Sequence, residues 1–296
     1  MNIFITGASG LLGSRLTKLF EADGHTVTKL TRKSSGKPNE RVWDARVQSL
    51  SPAVLDGCEV LVHLAGENIG DGRWTEKKKE KIRESRVNGT RILAEAIQGM
   101  SSPPQAFICA SATGYYGDRG AEILTEKSEP GEGFLPEVCV AWEKAADPAR
   151  DRTRVVHVRT GVVLSPDGGA LAKMLFPFKM GVGGVIGSGN QYMSWITAED
   201  SARLFQYAAM TDQVVGPVNG GTENPVTNRE FTKTLGKVLF RPTIFPIPAF
   251  GAKMAFGQMA EDLLLASTRA IPEATMDFGF SFRHPTLEEA LRSLDL

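Results

Sequence analysis

The chain has 296 residues, with 34 Lys+Arg set against 34 Asp+Glu and a formal net charge of +0. That length suits one large α/β domain, or a dinucleotide domain with a smaller lobe built onto it. The balanced charge lacks the basic excess of a protein that tracks nucleic acid, and no run approaches the ~18 apolar residues of a membrane span, so neither nucleic acid nor membrane is expected as a partner.

Short β-rich runs alternate with helical patterns through the first two thirds, the sign of an α/β chain with a doubly wound parallel sheet. A first strand is expected at 2–6 and a helix at about 12–21, with Leu12, Leu16 and Leu19 at helical spacing and Gly24 as its stop. Further strands are expected at 26–30, 41–43 and 60–64. A long helix follows over 76–98, its inner face made by Ile82, Val87, Ile92, Leu93, Ala96 and Ile97. Its Lys77-Lys78-Lys79-Glu80-Lys81 run reads as a solvated face. The next strands fall at 106–109 and 154–159. Beyond Gly161 the chain turns glycine-rich at 167–169 and 181–189, resumes an αβ-like pattern over 195–210, then breaks into proline-punctuated short helices from about Asn219.

This pattern predicts a Rossmann-like domain, residues 1–165 plus 195–218, and a smaller, mostly helical lobe, residues 166–194 plus 219–296. A ligand cleft should lie outside the carboxyl ends of the strands. Cys58, Cys109 and Cys139 form no C-x-x-C pair and no metal spacing, which fits a reducing compartment. With no signal peptide recognised, the cytoplasm is the expected location. His63, His157 and His284 have no second ligand at metal spacing, His63 and His157 sit inside strand runs and His25 on a loop, so no metal is expected.

The sharpest signal is Gly7-Ala8-Ser9-Gly10-Leu11-Leu12-Gly13, which directly follows a strand and opens an amphipathic helix. Gly7 permits the tight turn, Gly10 admits a pyrophosphate close to the backbone, and Gly13 allows close helix packing. The helix N-terminus offers N–H groups and a positive dipole end to the diphosphate, with Ser9, Leu11 and Leu12 beside it. After the second strand an NAD enzyme carries an acid for the ribose 2′-OH. This chain has Thr31-Arg32-Lys33-Ser34 instead. Arg32 can pair with a 2′-phosphate bidentately, and so the expected cofactor is NADP(H).

With its G-x-x-G-x-x-G spacing the chain resembles the extended short-chain dehydrogenase/reductases. Asp44 resembles the acid that holds the adenine amino group in that family. Leu64-Ala65-Gly66 resembles the segment flanking the adenosine ribose. Val87-Asn88-Gly89-Thr90 resembles the V-N-x-x-G-T signature with one spacer residue missing, and Ser111 to Gly117 resembles the S-S-x-x-V-Y-G loop. Arg159-Thr160-Gly161 resembles the step into the substrate lobe, and Arg159 is counted with the cofactor-binding residues. Ala65-Gly66-Glu67-Asn68-Ile69, Arg73-Trp74, Ile186 to Gln191 and the 263–282 stretch are similar to the subgroup called "epimerase family protein" (YfcH-like), with its C-terminal domain of unknown function. The resemblance covers essentially the whole chain.

One part of the family pattern is absent. Its Tyr-x-x-x-Lys pair passes a proton as hydride moves. The best register here places Cys139 at the tyrosine and Glu143 at the lysine, and none of the four tyrosines has a lysine four residues on. Three readings stay open. Ser111 or Thr113 donates a hydrogen bond while Tyr115 or Tyr116 serves as acid/base, Tyr116 alternatively only lining the pocket. Or Cys139 and Glu143 carry a different reaction, with Glu143 a base of raised pKa. Or the chain binds NADP(H) without turnover, as a redox-sensing module. The first two describe an oxidoreductase or epimerase-like enzyme. Met174, Phe178, Gln191, Tyr192 and Trp195 are candidate pocket walls, and Arg241 a candidate diphosphate arginine. A small-molecule substrate is the expected partner; a homodimer is left open.

Overall fold

The computed structural model describes residues 1–33 and 35–296; Ser34, at the end of the basic turn, lies outside the described residues. Seven strands make the central sheet: β1 (Asn2–Thr6), β2 (Thr26–Thr31), β3 (Glu40–Val42), β4 (Val60–His63), β5 (Ala106–Ala112), β6 (Arg154–Thr160) and β7 (Gly216–Gly220). Their spatial order is β7-β6-β5-β4-β1-β2-β3, and every adjacent pair is parallel. This is the Rossmann-like α/β sheet with one strand added beyond β6. The order reverses between β1 and β4, the crevice where such sheets bind ligands.

Helices α1 (Leu11–Ala22), α2 (Glu76–Gln98), α3 (Phe134–Lys144), α4 (Gly169–Lys179), α5 (Ala198–Met210), α6 (Asn228–Val238) and α7 (Ala249–Phe256) complete the main frame. On one face Leu16 and Phe20 of α1 and Leu204, Phe205 and Ala208 of α5 pack on Ile3, Ile5, Val60, Val62 and Val156. On the other, Ile92, Leu93, Ala96 and Ile97 of α2 pack on Phe4, Leu61, Phe107 and Cys109. Burial on both faces is why these strands read as continuous apolar runs rather than alternating ones. Each fully buried Phe or Ile contributes about 1.5–3 kcal/mol. Thr75 caps α2 by accepting from the Lys78 N–H at 3.2 Å, and Thr197 caps α5 through the Asp200 N–H at 3.0 Å.

Two differences from the pattern reading have clear causes. The run at 195 does form a strand, Trp195–Thr197, but it pairs with Val162–Leu164 in a separate two-stranded ladder. The seventh central strand comes from Gly216–Gly220, whose glycines and Pro217 argue against a strand. It lies at the sheet edge, where proline's missing N–H is tolerated.

In the second lobe Leu171, Leu175 and Phe178 of α4 pack with Trp195, with Phe231 and Leu235 of α6, and with Leu287 and Leu291. The end of the chain then returns to α5. The Tyr207 hydroxyl donates to the Phe278 carbonyl at 2.6 Å, and the buried Asp200 carboxylate accepts from the Arg283 and His284 N–H groups at 3.0–3.1 Å. Among the described residues no helix is long and apolar enough to cross a membrane.

His63 and His157 are buried in β4 and β6. The Thr6 hydroxyl accepts from the Leu64 and Ala65 N–H groups at 3.1 and 3.2 Å, so its own proton goes to His63 Nδ1 at 2.6 Å. Burial lowers His63 to about 3 and His157 to about 4. Both are therefore neutral in the fold, and the unfolded chain binds more protons below the ordinary histidine value of about 6.5. The resulting stability is present above that pH and is lost as pH falls from about 6.5 toward 4. Each histidine should cost about 2 kcal/mol at pH 5. Calorimetric melts at pH 7.5 and pH 5 check this: the transition should drop clearly, and an unchanged transition would contradict neutral burial.

Candidate active site

The glycine loop joins β1 to α1 at the β1/β4 crevice. Gly7 has φ +69°, a left-handed conformation that favours glycine, and a Cβ there would press on the Leu64 and Ala65 backbone at 3.0 Å. A Cβ on Gly13 would come within 2.2 Å of the Gly7 carbonyl oxygen. At Gly10 a Cβ would meet only that same oxygen, at 3.2 Å, so its remaining surroundings are open. Gly10 is the N-cap of α1; no side chain caps the helix and no acid stands in its first turn. These residues could hold a diphosphate, with Ser9, Leu11 and Leu12 beside the helix N-terminus.

At the end of β2, Thr31 donates to the Lys33 carbonyl at 3.0 Å while Arg32 and Lys33 are exposed. Asp44 follows β3. Its carboxylate accepts from Arg46 Nε and Nη2 at 2.6–3.1 Å, and these bonds hold it at about 2. Asn88 joins α2 to the same loop by donating to the Ala45 and Val47 carbonyls.

The catalytic candidates fall into one polar network at the carboxyl ends of β5 and β6. Arg159 Nε and Nη2 donate to Glu143 Oε1 and Oε2, each at 2.8 Å. The two side chains are only 4% and 13% exposed. The Ser111 hydroxyl donates to Glu143 Oε1 at 2.7 Å. Arg159 Nη1 donates to the Tyr116 hydroxyl oxygen at 3.1 Å and to the Glu126 carbonyl at 3.3 Å. Tyr116 in turn donates to Asn219 Oδ1 at 2.8 Å. The Arg159 guanidinium also lies 3.5 Å from the Tyr115 ring centroid, a cation–π stack.

Chemical competence follows from this wiring. Burial pushes the Glu143 carboxyl up, but the hydrogen bonds and charge of Arg159 outweigh it, so the group ends below the usual carboxylate range. The raised pKa expected of a Glu143 base is therefore not found. Arg159, likewise, is committed to Glu143 and the tyrosine. Burial pushes Tyr116 to about 12, and this residue is 0% exposed. Tyr115 is half-buried and also raised, first by burial. Thr113 is buried in the turn Thr113–Tyr116. Cys139 is buried too. Burial first, and then the Glu143 charge one helical turn on, push its thiol to about 12, so it is a thiol and not a thiolate at neutral pH.

The sequence reading missed Arg86. It directly precedes Val87-Asn88, and that placement beside a recognised motif was the available signal. Its Nη1 donates to the Glu67 and Ile82 carbonyls at 3.0 and 3.2 Å, and its guanidinium stands 5.1 Å from the Trp142 ring. A Cβ on Gly66 would lie 3.3 Å from its Cζ. No carboxylate pairs with it among the described residues. It was also not foreseen that Asn219 and Glu126 would extend the network: Glu126 Oε1 accepts from the Asn219 N–H at 2.8 Å.

The proposed pocket walls are redistributed. Phe178 and Trp195 belong to the second lobe's core, where Trp195 Nε1 donates to the Asn224 carbonyl at 3.0 Å. Buried Gln191 spends its amide on the Ile186 and Leu264 carbonyls, both at 3.0 Å. All three are buried in this packing. Met174 and Tyr192 are partly buried. Arg241 is exposed and donates to the Lys179 carbonyl at 2.8 Å.

Comparison with known proteins agrees with this architecture. The NAD dependent epimerase/dehydratase family matches residues 3–219, and a domain of unknown function, DUF1731, matches residues 247–294. An epimerase family protein of Mycobacterium bovis is 41% identical over 290 residues, covering 98% of this chain and 96% of its own. The crystal structure of human epimerase family protein SDR39U1 (isoform 2) with NADPH aligns with a TM-score of 0.91 at 35% identity, covering 99% of both chains. A nucleoside-diphosphate sugar epimerase from Corynebacterium glutamicum aligns with a TM-score of 0.82 at 39% identity; this chain is covered to 99% and spans 58% of that one. The chain belongs to the NAD dependent epimerase/dehydratase family, an extended short-chain dehydrogenase/reductase with a C-terminal DUF1731 domain.

Proposed function

We propose that this protein binds NADP(H) across the carboxyl ends of β1 and β4, and that it lacks the proton relay of sugar-nucleotide epimerases. The observation that carries the second part is the bidentate Glu143–Arg159 pair. In the sequence register that sets Glu143 against the family lysine, the carboxylate's charge is already neutralised by Arg159. With Cys139 a buried thiol, neither member of that pair can shuttle a proton at neutral pH. The first part is supported by the Gly7–Gly13 loop, by Arg32 standing in the sequence where an NAD enzyme carries an acid, and by the human relative crystallised with NADPH. When bound, the cofactor supplies a hydride donor or acceptor. The chain's own residues grip its diphosphate and present Arg32 to the 2′-phosphate. Three buried unpaired thiols support a reducing location such as the cytoplasm.

A second reading is favoured by one observation. Tyr115 is the half-exposed tyrosine of the network, and its raised pKa keeps the hydroxyl protonated. It can donate to a substrate carbonyl oxygen, which would make the protein a reductase rather than a binding module.

Two experiments separate these readings. In fluorescence titrations Arg32→Asp should weaken NADPH about 10- to 100-fold and NADH only slightly, the loss of one charge-assisted bidentate contact. Equal losses for both cofactors would remove the 2′-phosphate assignment. Against a panel of aldehydes, ketones and quinones, wild-type protein should leave NADPH unconsumed if it only binds. If NADPH is consumed, Tyr115→Phe should slow turnover by roughly 10²- to 10⁴-fold with NADPH affinity kept; an unchanged rate would exclude that tyrosine.

A further inference from the structure

Two long stretches of the second lobe contain no carboxylate. Residues 168–198 carry Lys173 and Lys179 as their only charges, and residues 231–260 carry Lys233, Lys237, Arg241 and Lys253. In a chain with equal acids and bases this is a local bias. The fold brings the two stretches together. Arg241 Nε donates to the Lys179 carbonyl at 2.8 Å, the Ile247 N–H donates to the Val185 carbonyl at 2.8 Å, and the Gly187 N–H returns to the Ile247 carbonyl at 2.9 Å.

The joined surface is also apolar. Phe176, Met180, Phe240, Ile244, Phe250 and Met254 are each 65–83% exposed. Isolated exposed apolar residues are ordinary, but six large ones on adjoining segments mark a contact surface. Lys173, Lys237 and Lys253 pair with Asp71, Glu288 and Glu261 from outside the stretches. Among the described residues, Lys179, Lys233 and Arg241 have no carboxylate partner; Lys233 donates to the Thr243 carbonyl at 3.0 Å.

Charge decides what can cover this face. A two-fold dimer would bring the patch against its own copy, setting Lys179, Lys233 and Arg241 against the same cations with no carboxylate from either stretch to meet them. Aromatic and methionine side chains among unpaired cations suit a different partner, an anionic lipid surface, where apolar groups enter the headgroup boundary and each Lys or Arg adds attraction. We infer that this face of the second lobe docks the protein on anionic lipid. The expectation of no membrane partner rested on the absence of a spanning run, and surface docking needs none.

Vesicle flotation with the full chain tests it, using phosphatidylglycerol vesicles against phosphatidylcholine vesicles. The protein should float with phosphatidylglycerol only, and less so as salt rises. Lys179→Ala with Arg241→Ala should reduce that binding by on the order of tenfold or more. Phe240→Ser with Phe250→Ser should reduce it as well, with the circular-dichroism melt of both double variants unchanged. No flotation with either lipid, equal flotation with both, or flotation insensitive to both double variants would overturn the inference. So would a dimer in sedimentation velocity that Phe240→Ser with Phe250→Ser splits, which would assign the face to a second copy.

Discussion

Glu143 and Arg159 meet out of water through two parallel hydrogen bonds, and the far half of the site is arranged around them. Removing two charges from water costs several kcal/mol per ion and is tolerated only when the remaining donors and acceptors are satisfied. Here they are. Ser111 from β5 donates to one carboxylate oxygen, while Tyr116 and the Glu126 carbonyl take the third guanidinium nitrogen. One pair therefore fixes the end of β5, the turn after it, α3 and β6 relative to one another.

The constraint propagates outward. Tyr116 continues the chain of hydrogen bonds to Asn219 on β7, Asn219 donates to the Ile271 carbonyl at 2.8 Å, and its own carbonyl accepts from Thr275 at 2.8 Å. The polar network thus ties the sheet's added edge strand to the C-terminal segment. The same network engages Ser111, Tyr116, Glu143 and Arg159 with one another. A carboxylate already neutralised by arginine is a weak base, and the thiol one turn before it is held protonated by burial and by that carboxylate. The glycine loop between β1 and α1 does not draw on these residues.

The glycine loop and the sheet were legible in the sequence because both follow from local rules. Strands buried on two faces must be apolar throughout, and a loop residue with φ +69° whose Cβ would lie 3.0 Å from the Leu64 and Ala65 backbone is best served by glycine at position 7. The absence of a Tyr-x-x-x-Lys pair was equally legible as a departure. Its meaning was not. Whether Glu143 is a base with a raised pKa or a lowered ion-pair member depends on Arg159, 16 residues away on β6. Asn219 was hidden for a different reason, since it lies in a Gly-Pro-Val-Asn-Gly strand that propensity argues against. Trp195, Phe178 and Gln191 looked like pocket walls because apolar groups with polar tips serve both pockets and cores, and only the packing of the second lobe distinguishes them.

A double-mutant cycle on Glu143→Gln and Arg159→Gln, read by denaturant unfolding, tests the account most directly. If the pair is a buried structural element, each single change should destabilise by about 3–5 kcal/mol. The double variant should then be less destabilised than their sum by about 1–3 kcal/mol. Two small effects that add within about 0.5 kcal/mol would contradict it, and would return Glu143 to the candidates for catalysis.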